Sequence, residues 1–169
     1  MSKRVAVVTG GIGGLGTEIC KALARSGCTV IAVDLESRED RHATFNDEVS
    51  GLDIHFAAAD VADHDRCGAL VRDIETRHGS LDILVNNAGI TRDATLRKMD
   101  RAQWDAVLDV NLGSAFNLCN HAIPGMQTRG FGRVVNISSV SGQTGNFGQT
   151  NYAAAKAGLH GFTMSLARE

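Results

Sequence analysis

Tyr152 and Lys156 stand four residues apart, with Ser139 thirteen positions before the tyrosine. Residues at i and i+4 share one helix face, so a phenol and an ammonium would project side by side. A free phenol loses its proton only near pH ~10 and shuttles protons at neutral pH only where a positive charge favours the phenolate. Lys156 is placed to supply that charge. Ser139 follows the apolar run Val134-Val135-Asn136-Ile137, which has the pattern of a buried strand. Its hydroxyl would then sit at the strand's carboxyl end, where open α/β sheets keep their ligands. The chemistry implied is proton exchange on a single substrate oxygen. Taken alone, Tyr-x-x-x-Lys also occurs on ordinary solvated helix faces, so its meaning depends on the rest of the chain.

At the amino end, Val5-Ala6-Val7-Val8 leads into Thr9-Gly10-Gly11-Ile12-Gly13-Gly14-Leu15-Gly16, and Ile19, Cys20, Leu23 and Ala24 follow at helical spacing. This is strand, glycine turn, helix. Glycines let the backbone approach a pyrophosphate, and the free amides and dipole of the helix start favour its charge. A second apolar run, Thr29-Val30-Ile31-Ala32-Val33, ends at Asp34, roughly 20 residues past the glycines, where a carboxylate can bond a ribose 2′-hydroxyl.

Thr9-Gly10-x-x-x-Gly14-x-Gly16, Asn86-Asn87-Ala88-Gly89, Asn111, Ser139 and Tyr152-x-x-x-Lys156 together resemble the short-chain dehydrogenases/reductases. The resemblance runs from residue 3 to residue 169. Gly89-Ile90-Thr91-Arg92-Asp93, Arg97-Lys98-Met99, Trp104-Asp105-Ala106-Val107 and Gly148-Gln149-Thr150-Asn151-Tyr152 narrow it to the acetoacetyl-CoA reductases of polyhydroxyalkanoate synthesis. The 3-oxoacyl-(acyl-carrier-protein) reductases of fatty acid synthesis share much of that pattern and form the alternative. A nucleotide-binding domain without catalysis is a further alternative, disfavoured by the intact Ser139, Tyr152 and Lys156.

The resemblance implies NAD(P)H-dependent reduction of a 3-oxoacyl thioester, with acetoacetyl-CoA giving 3-hydroxybutyryl-CoA. Tyr152 would be the proton donor, Ser139 the holder of the C3 oxygen, Lys156 the ribose contact, and Asn111 the residue whose carbonyl holds a water linking Lys156 to solvent. Cofactor contacts are implied for residues 9–16, Asp34, Asp60, Val61, Asn87, Ala88, Gly89, Ile90 and Thr91, and acyl contacts for Asp93, Asn146, Phe147 and Gln149, with Gln143 as a weaker candidate. Asn146 stands where the family pattern has glutamine. Ordinary readings stay open beside these: Asn111 as a solvent-facing helix residue, Ser139 and Asn87 as turn formers, Asp60 as the cap of the following helix, and Phe147 as a packed loop aromatic. Asp34 would repel a 2′-phosphate, and Gly13 stands where NADP-using relatives often carry arginine. NADH is therefore the expected cofactor, with NADPH as the alternative through Arg38 and Arg41. A homotetramer is implied, with Trp104 and Phe116 at a subunit face or in the core. Arg129 and Arg133 are the candidate cations for an acidic carrier protein.

Composition fits a cytoplasmic α/β protein: 43% apolar residues, 21% charged and a net charge of −2. No basic cluster points to nucleic acid or an anionic membrane, and no apolar run nears the ~18 residues of a span. Cys20, Cys28, Cys67 and Cys119 lack C-x-x-C spacing and are expected as reduced packing thiols. The six histidines form no H-x-x-x-H pair, so no catalytic metal is expected.

The elements that must position these groups alternate. Strands are predicted near 4–8, 29–33, 54–59, 81–85 and 133–138, and helices near 14–26, 38–49, 63–78, 100–129 and 150–169. Alternation of this kind means a Rossmann-type, doubly wound parallel sheet. Pro124 should kink or end the first part of the fourth helix, and the Thr150 hydroxyl should cap the last. Relatives run to about 250 residues as one domain. Residues 1–169 are thus expected to be a single domain truncated at its carboxyl end, lacking the last strands, with an uncovered sheet edge and poor stability and activity in isolation.

Overall fold

The computed structural model describes residues 3–36 and 39–169. Five strands, β1 (Val5–Thr9), β2 (Thr29–Asp34), β3 (Ile54–Ala58), β4 (Ile83–Asn86) and β5 (Arg133–Asn136), form one parallel sheet in the order β3-β2-β1-β4-β5. Intervening helices are α1 (Gly14–Arg25), α2 (Glu39–Glu48), α3 (His64–His78), α4 (Arg101–Leu108), α5 (Ser114–Arg129), α6 (Ser141–Thr144) and α7 (Thr150–Leu166). The strands are nearly unbroken apolar because both faces are covered. On one face Val5, Val7, Ile31, Val33 and Leu84 pack with Val71, Ile74, Leu118 and Ala122. On the other, Ala6, Val8, Val30, Ala32 and Val85 pack with Cys20, Phe45 and Val49. Alternate residues of β1 thus feed opposite cores, the period-two rule of a strand. β5 is an edge, and Val135 on it is exposed.

The strand order reverses between β1 and β4, which opens a crevice at their carboxyl ends. Every predicted strand appears there, within a residue or two of its expected ends. The helices depart in four places. The predicted helix over 100–129 is interrupted by a π turn at Asp109–Gly113. There the Asn111 amide takes the Val107 carbonyl and the Ser114 hydroxyl takes the Val110 carbonyl, so side chains stand in for part of the helical ladder. Pro124 does not end the helix: α5 runs past it to Arg129. Thr150 does not cap α7, whose N-cap is Gln149 without a side-chain bond, and its hydroxyl faces Met99 Sδ instead. The short α6 was not expected from the sequence.

Candidate active site

The crevice is held together by the residues that end β1 and β4. Thr9 Oγ1 accepts from the amides of Asn87 and Ala88 at 3.0 and 2.9 Å, and Asn87 Nδ2 donates to Thr9 O at 2.8 Å and Gly10 O at 3.3 Å. Thr9 and Asn87 therefore staple the two strand ends. Gly10 has φ +61, a conformation open to glycine. A Cβ on Gly16 would strike the Gly10 carbonyl, so the turn closes tightly on the start of α1. A Cβ on Gly14 would meet nothing within 4 Å. Gly14 thus presents bare backbone to open space at the start of α1, where the first amides of a helix have no intrahelical partner, the cradle that a pyrophosphate needs.

Beside this cradle lies a cleft of about 460 Å³ lined by Gly10, Asp34, Asp60, Val61, Gly89 and Ile90, among others. Asp34 sits at the end of β2 with its carboxylate accepting the Leu35 amide. Asp60 accepts from the Ala62 amide, and the cap of α3 is Asp63, not Asp60. Asn117, buried on α5, donates to Val61 O and Ala62 O and so fixes this loop from the helix side. Arg41 donates twice to Ile12 O, at 2.8 and 3.2 Å, bracing the glycine turn from α2. Arg38 lies outside the described residues.

The catalytic candidates converge at one smaller pocket, whose walls include Asn87, Gly89, Thr91, Ser139, Tyr152 and Lys156. Lys156 is only 3% exposed, and this burial lowers its pKa from the ordinary lysine value. Its Nζ donates to Ile137 O at 2.7 Å and lies 5.7 Å from the centre of the Tyr152 ring. Ser139 Oγ accepts from the Ser141 amide at 3.2 Å, leaving its proton uncommitted among the described residues. Asn111 is 2% exposed, which removes the solvent-facing reading. Its Nδ2 donates to Ile90 O and Val107 O at 2.8 and 2.9 Å, and its Oδ1 has no partner among the described residues. A Cβ on Gly89 would lie 2.6 Å from that Oδ1 and 3.6 Å from Lys156 Nζ, so both groups face Gly89.

Three of the four acyl candidates come together. Gln149 Nε2 donates to Asp93 Oδ2 at 2.9 Å, and Gln149 Oε1 accepts from Asn146 Nδ2 at 3.0 Å and Ser141 Oγ at 3.3 Å. Through Ser141 this network reaches Ser139. Phe147 is not part of it: at 88% exposure it packs under nothing in this chain.

The sequence pattern of the short chain dehydrogenases matches residues 4–169. The chain belongs to the short-chain dehydrogenase family. It is 53% identical over 168 residues to an acetoacetyl-CoA reductase of Allochromatium vinosum, a match that covers 98% of this chain and 68% of that protein. It is likewise 53% identical to nodulation protein G of Azospirillum brasilense, over 100% of this chain and 69% of the relative. A 3-oxoacyl-(acyl-carrier-protein) reductase of Chlamydia muridarum is 41% identical over 98% of this chain and 67% of its own length. As a short-chain dehydrogenase the protein is an oxidoreductase acting on CH–OH groups with NAD(P). Among the described residues no helix is long and apolar enough to cross a membrane, and no cluster of three or more His, Cys, Asp or Glu is placed to hold a metal ion.

Several residues that shape this short-chain dehydrogenase site were not singled out from the sequence. Asn151, fully buried, donates to Arg92 O and Gln103 O and accepts from the Tyr152 amide, tying the start of α7 to the loop after β4. Asn117 does the same for the loop after β3. A sequence signal existed, since an asparagine among apolar helix positions needs a buried partner, but its partner's identity emerges only from the fold.

Proposed function

We propose that the protein reduces acetoacetyl-CoA to 3-hydroxybutyryl-CoA with NADH. The observation that carries this reading is the convergence of Tyr152, Lys156 and Ser139 on one pocket beside a cleft bordered by Asp34 and the glycine turn. The cradle at Gly14 and the unpartnered Asn111 Oδ1 suit a bound dinucleotide. When bound, the nicotinamide supplies the hydride.

The protein's own groups manage the oxygen. Tyr152 gives its proton to the C3 oxygen, and Ser139 donates to the same oxygen, stabilising charge where it develops. Lys156 keeps a positive charge next to the phenol and reaches the ribose hydroxyls. Asn111 fixes the Ile90 carbonyl, and in this reading its own carbonyl holds a water that resupplies Lys156 with protons. Asp93, Asn146 and Gln149 border the acyl group. Because Asn146 is one methylene shorter than the glutamine of the family pattern and bonds Gln149, its contribution is to hold Gln149.

For the cofactor, Asp34 opposes a 2′-phosphate, and the Arg41 guanidinium is engaged with Ile12 O. Both support NADH over NADPH. Within one chain, Arg129 pairs with Glu75 and Leu81 O, and Arg133 leans on Phe131. Both lie at the amino ends of β4 and β5, away from the pocket, so they do not favour a carrier protein over coenzyme A at this site. Phe116, exposed on α5, suits the subunit face of a homotetramer.

The test is the steady-state rate of NADH and NADPH oxidation by the full-length gene product, with acetoacetyl-CoA and with acetoacetyl-acyl-carrier protein. NADH with the coenzyme A ester should give the highest kcat/KM, and Asp34→Ala should narrow the gap between the two cofactors. A strong NADPH preference in the unmodified protein overturns the cofactor reading; preference for the carrier ester overturns the substrate reading.

A further inference from the structure

One helical turn beyond Lys156, His160 turns its Nε2 to Ser138 Oγ at 2.9 Å. Ser138 in turn donates to the main-chain oxygen of Lys156 at 2.8 Å, while Lys156 reaches back to Ile137 O at 2.7 Å. The amide of Ile137 donates to Asn86 O at 2.9 Å, which carries the sheet ladder one residue past β5. On another side of the lysine backbone, a Cβ on Gly142 would lie 2.7 Å from the Lys156 carbonyl carbon and 2.8 Å from the Ala157 nitrogen, so α6 presses against the same peptide. Tyr152, Lys156 and His160 occupy one stripe of α7, at i, i+4 and i+8.

A serine hydroxyl has one proton. With that proton on Lys156 O, the imidazole must be the donor, so His160 carries hydrogen on Nε2. We propose that His160 and Ser138 form a brace setting where Lys156 sits relative to Ser139; both are positioning residues for the reaction, an inference that rests on the reductase reading. The brace joins the helix bearing the phenol and the ammonium to the strand end bearing the serine. The three groups are useful only in register, because a misplacement of ~1 Å costs up to ~100-fold in rate. Ser138 borders the pocket, but its hydroxyl is engaged with Lys156 O and His160, and His160 lies outside the pocket walls.

The experiment uses Ser138→Ala, His160→Phe and His160→Gln in the full-length gene product. Phenylalanine keeps the packing and removes the donor; glutamine keeps a donor close to the Nε2 position. With acetoacetyl-CoA and NADH, kcat should fall about tenfold in Ser138→Ala and in His160→Phe, while KM for acetoacetyl-CoA stays within about twofold. His160→Gln should recover to within about threefold of the parent, and the double variant should be no slower than the slower single, since both changes break one contact. In parallel, the ring ¹H–¹⁵N spectrum of the unmodified protein, with His160 identified by its loss in His160→Gln, should show the Nε2-protonated tautomer. An Nδ1-protonated ring, an unchanged kcat in His160→Phe, or multiplicative losses in the double variant would overturn the brace. If the unmodified protein leaves acetoacetyl-CoA unreduced, the reductase reading fails while the tautomer still decides the brace.

Discussion

Gly89→Ala puts a single methyl where the candidate catalytic groups meet. The backbone at Gly89 does not require positive φ, so alanine is sterically permitted there by its own dihedrals and the effect arises from what lies in front of it. The added Cβ would stand 2.6 Å from Asn111 Oδ1. Non-bonded contacts settle near ~3.5 Å, so Asn111 must retreat by roughly 0.9 Å. It is not free to do so, because Nδ2 is held at 2.8 Å by Ile90 O and at 2.9 Å by Val107 O. Stretching both bonds in a buried site costs about 2–4 kcal/mol of stability. The same movement displaces Ile90 on the cofactor wall, while Lys156 Nζ, 3.6 Å from the added Cβ, stays in ordinary contact, so kcat should fall by about 10². The assays are urea unfolding and steady-state reduction of acetoacetyl-CoA by NADH. A Gly89→Ala protein with parental midpoint and parental kcat would refute the claim that Asn111 is locked against this glycine.

Gly14→Ala makes the opposite case: open space surrounds its would-be Cβ, so stability should hold or rise by up to about 1 kcal/mol through helix propensity, while NADH affinity drops roughly tenfold if the pyrophosphate lies there; urea unfolding checks the first half and fluorescence titration with NADH the second, and parental affinity would move the cofactor elsewhere. Burial pushes the thiols of Cys20 and Cys67 up to about 12 and that of Cys119 to about 11, from 9.0. An unfolded chain loses these protons first, so the stability they represent is complete below pH 9 and drains away towards pH 11–12. Each thiol costs about 1.4 kcal/mol per pH unit in that window. Lys156, whose pKa is lowered by burial, acts in the other sense between its folded value and 10.5, but one lysine is outweighed by three thiols. Unfolding free energy should therefore drop steeply between pH 9 and 10.5, and a flat profile would show the thiols to be solvated.

How much was legible in the sequence follows from how local each signal is. The strands, the glycine turn and the meeting of Ser139, Tyr152 and Lys156 depend on short apolar runs and on spacing within one element or one strand–helix step, and these could be read directly. The π turn was hidden because Asp109–Gly113 has ordinary helical composition, while within it Asn111 reaches Ile90 O, a contact from another part of the chain. Pro124 does not stop the helix, since α5 is held on both sides of it by buried Leu118, Cys119, Ala122 and Met126. Asp60 had an ordinary reading as the cap of the following helix, and only the register of α3 shows that Asp63 takes that place. Thr9 and Asn87 were read as cofactor contacts, and the fold adds a role that the sequence did not show: Thr9 Oγ1 and Asn87 Nδ2 bond across to each other's backbone and hold the crevice in shape. The Ser138–His160 pair could not be seen at all, because two residues 22 apart meet only once α7 has packed on the end of β5.

Tyr152 is the proposed proton donor, and its most direct test is kcat for acetoacetyl-CoA reduction in Tyr152→Phe alongside NADH affinity in the same preparation. Phenylalanine removes one hydroxyl from the pocket and leaves the ring. A proton donor at this position requires a loss of about 10²–10⁴ in kcat with the NADH dissociation constant unchanged within about twofold. Turnover near the parental rate, or an equal loss of turnover and NADH binding, would contradict it.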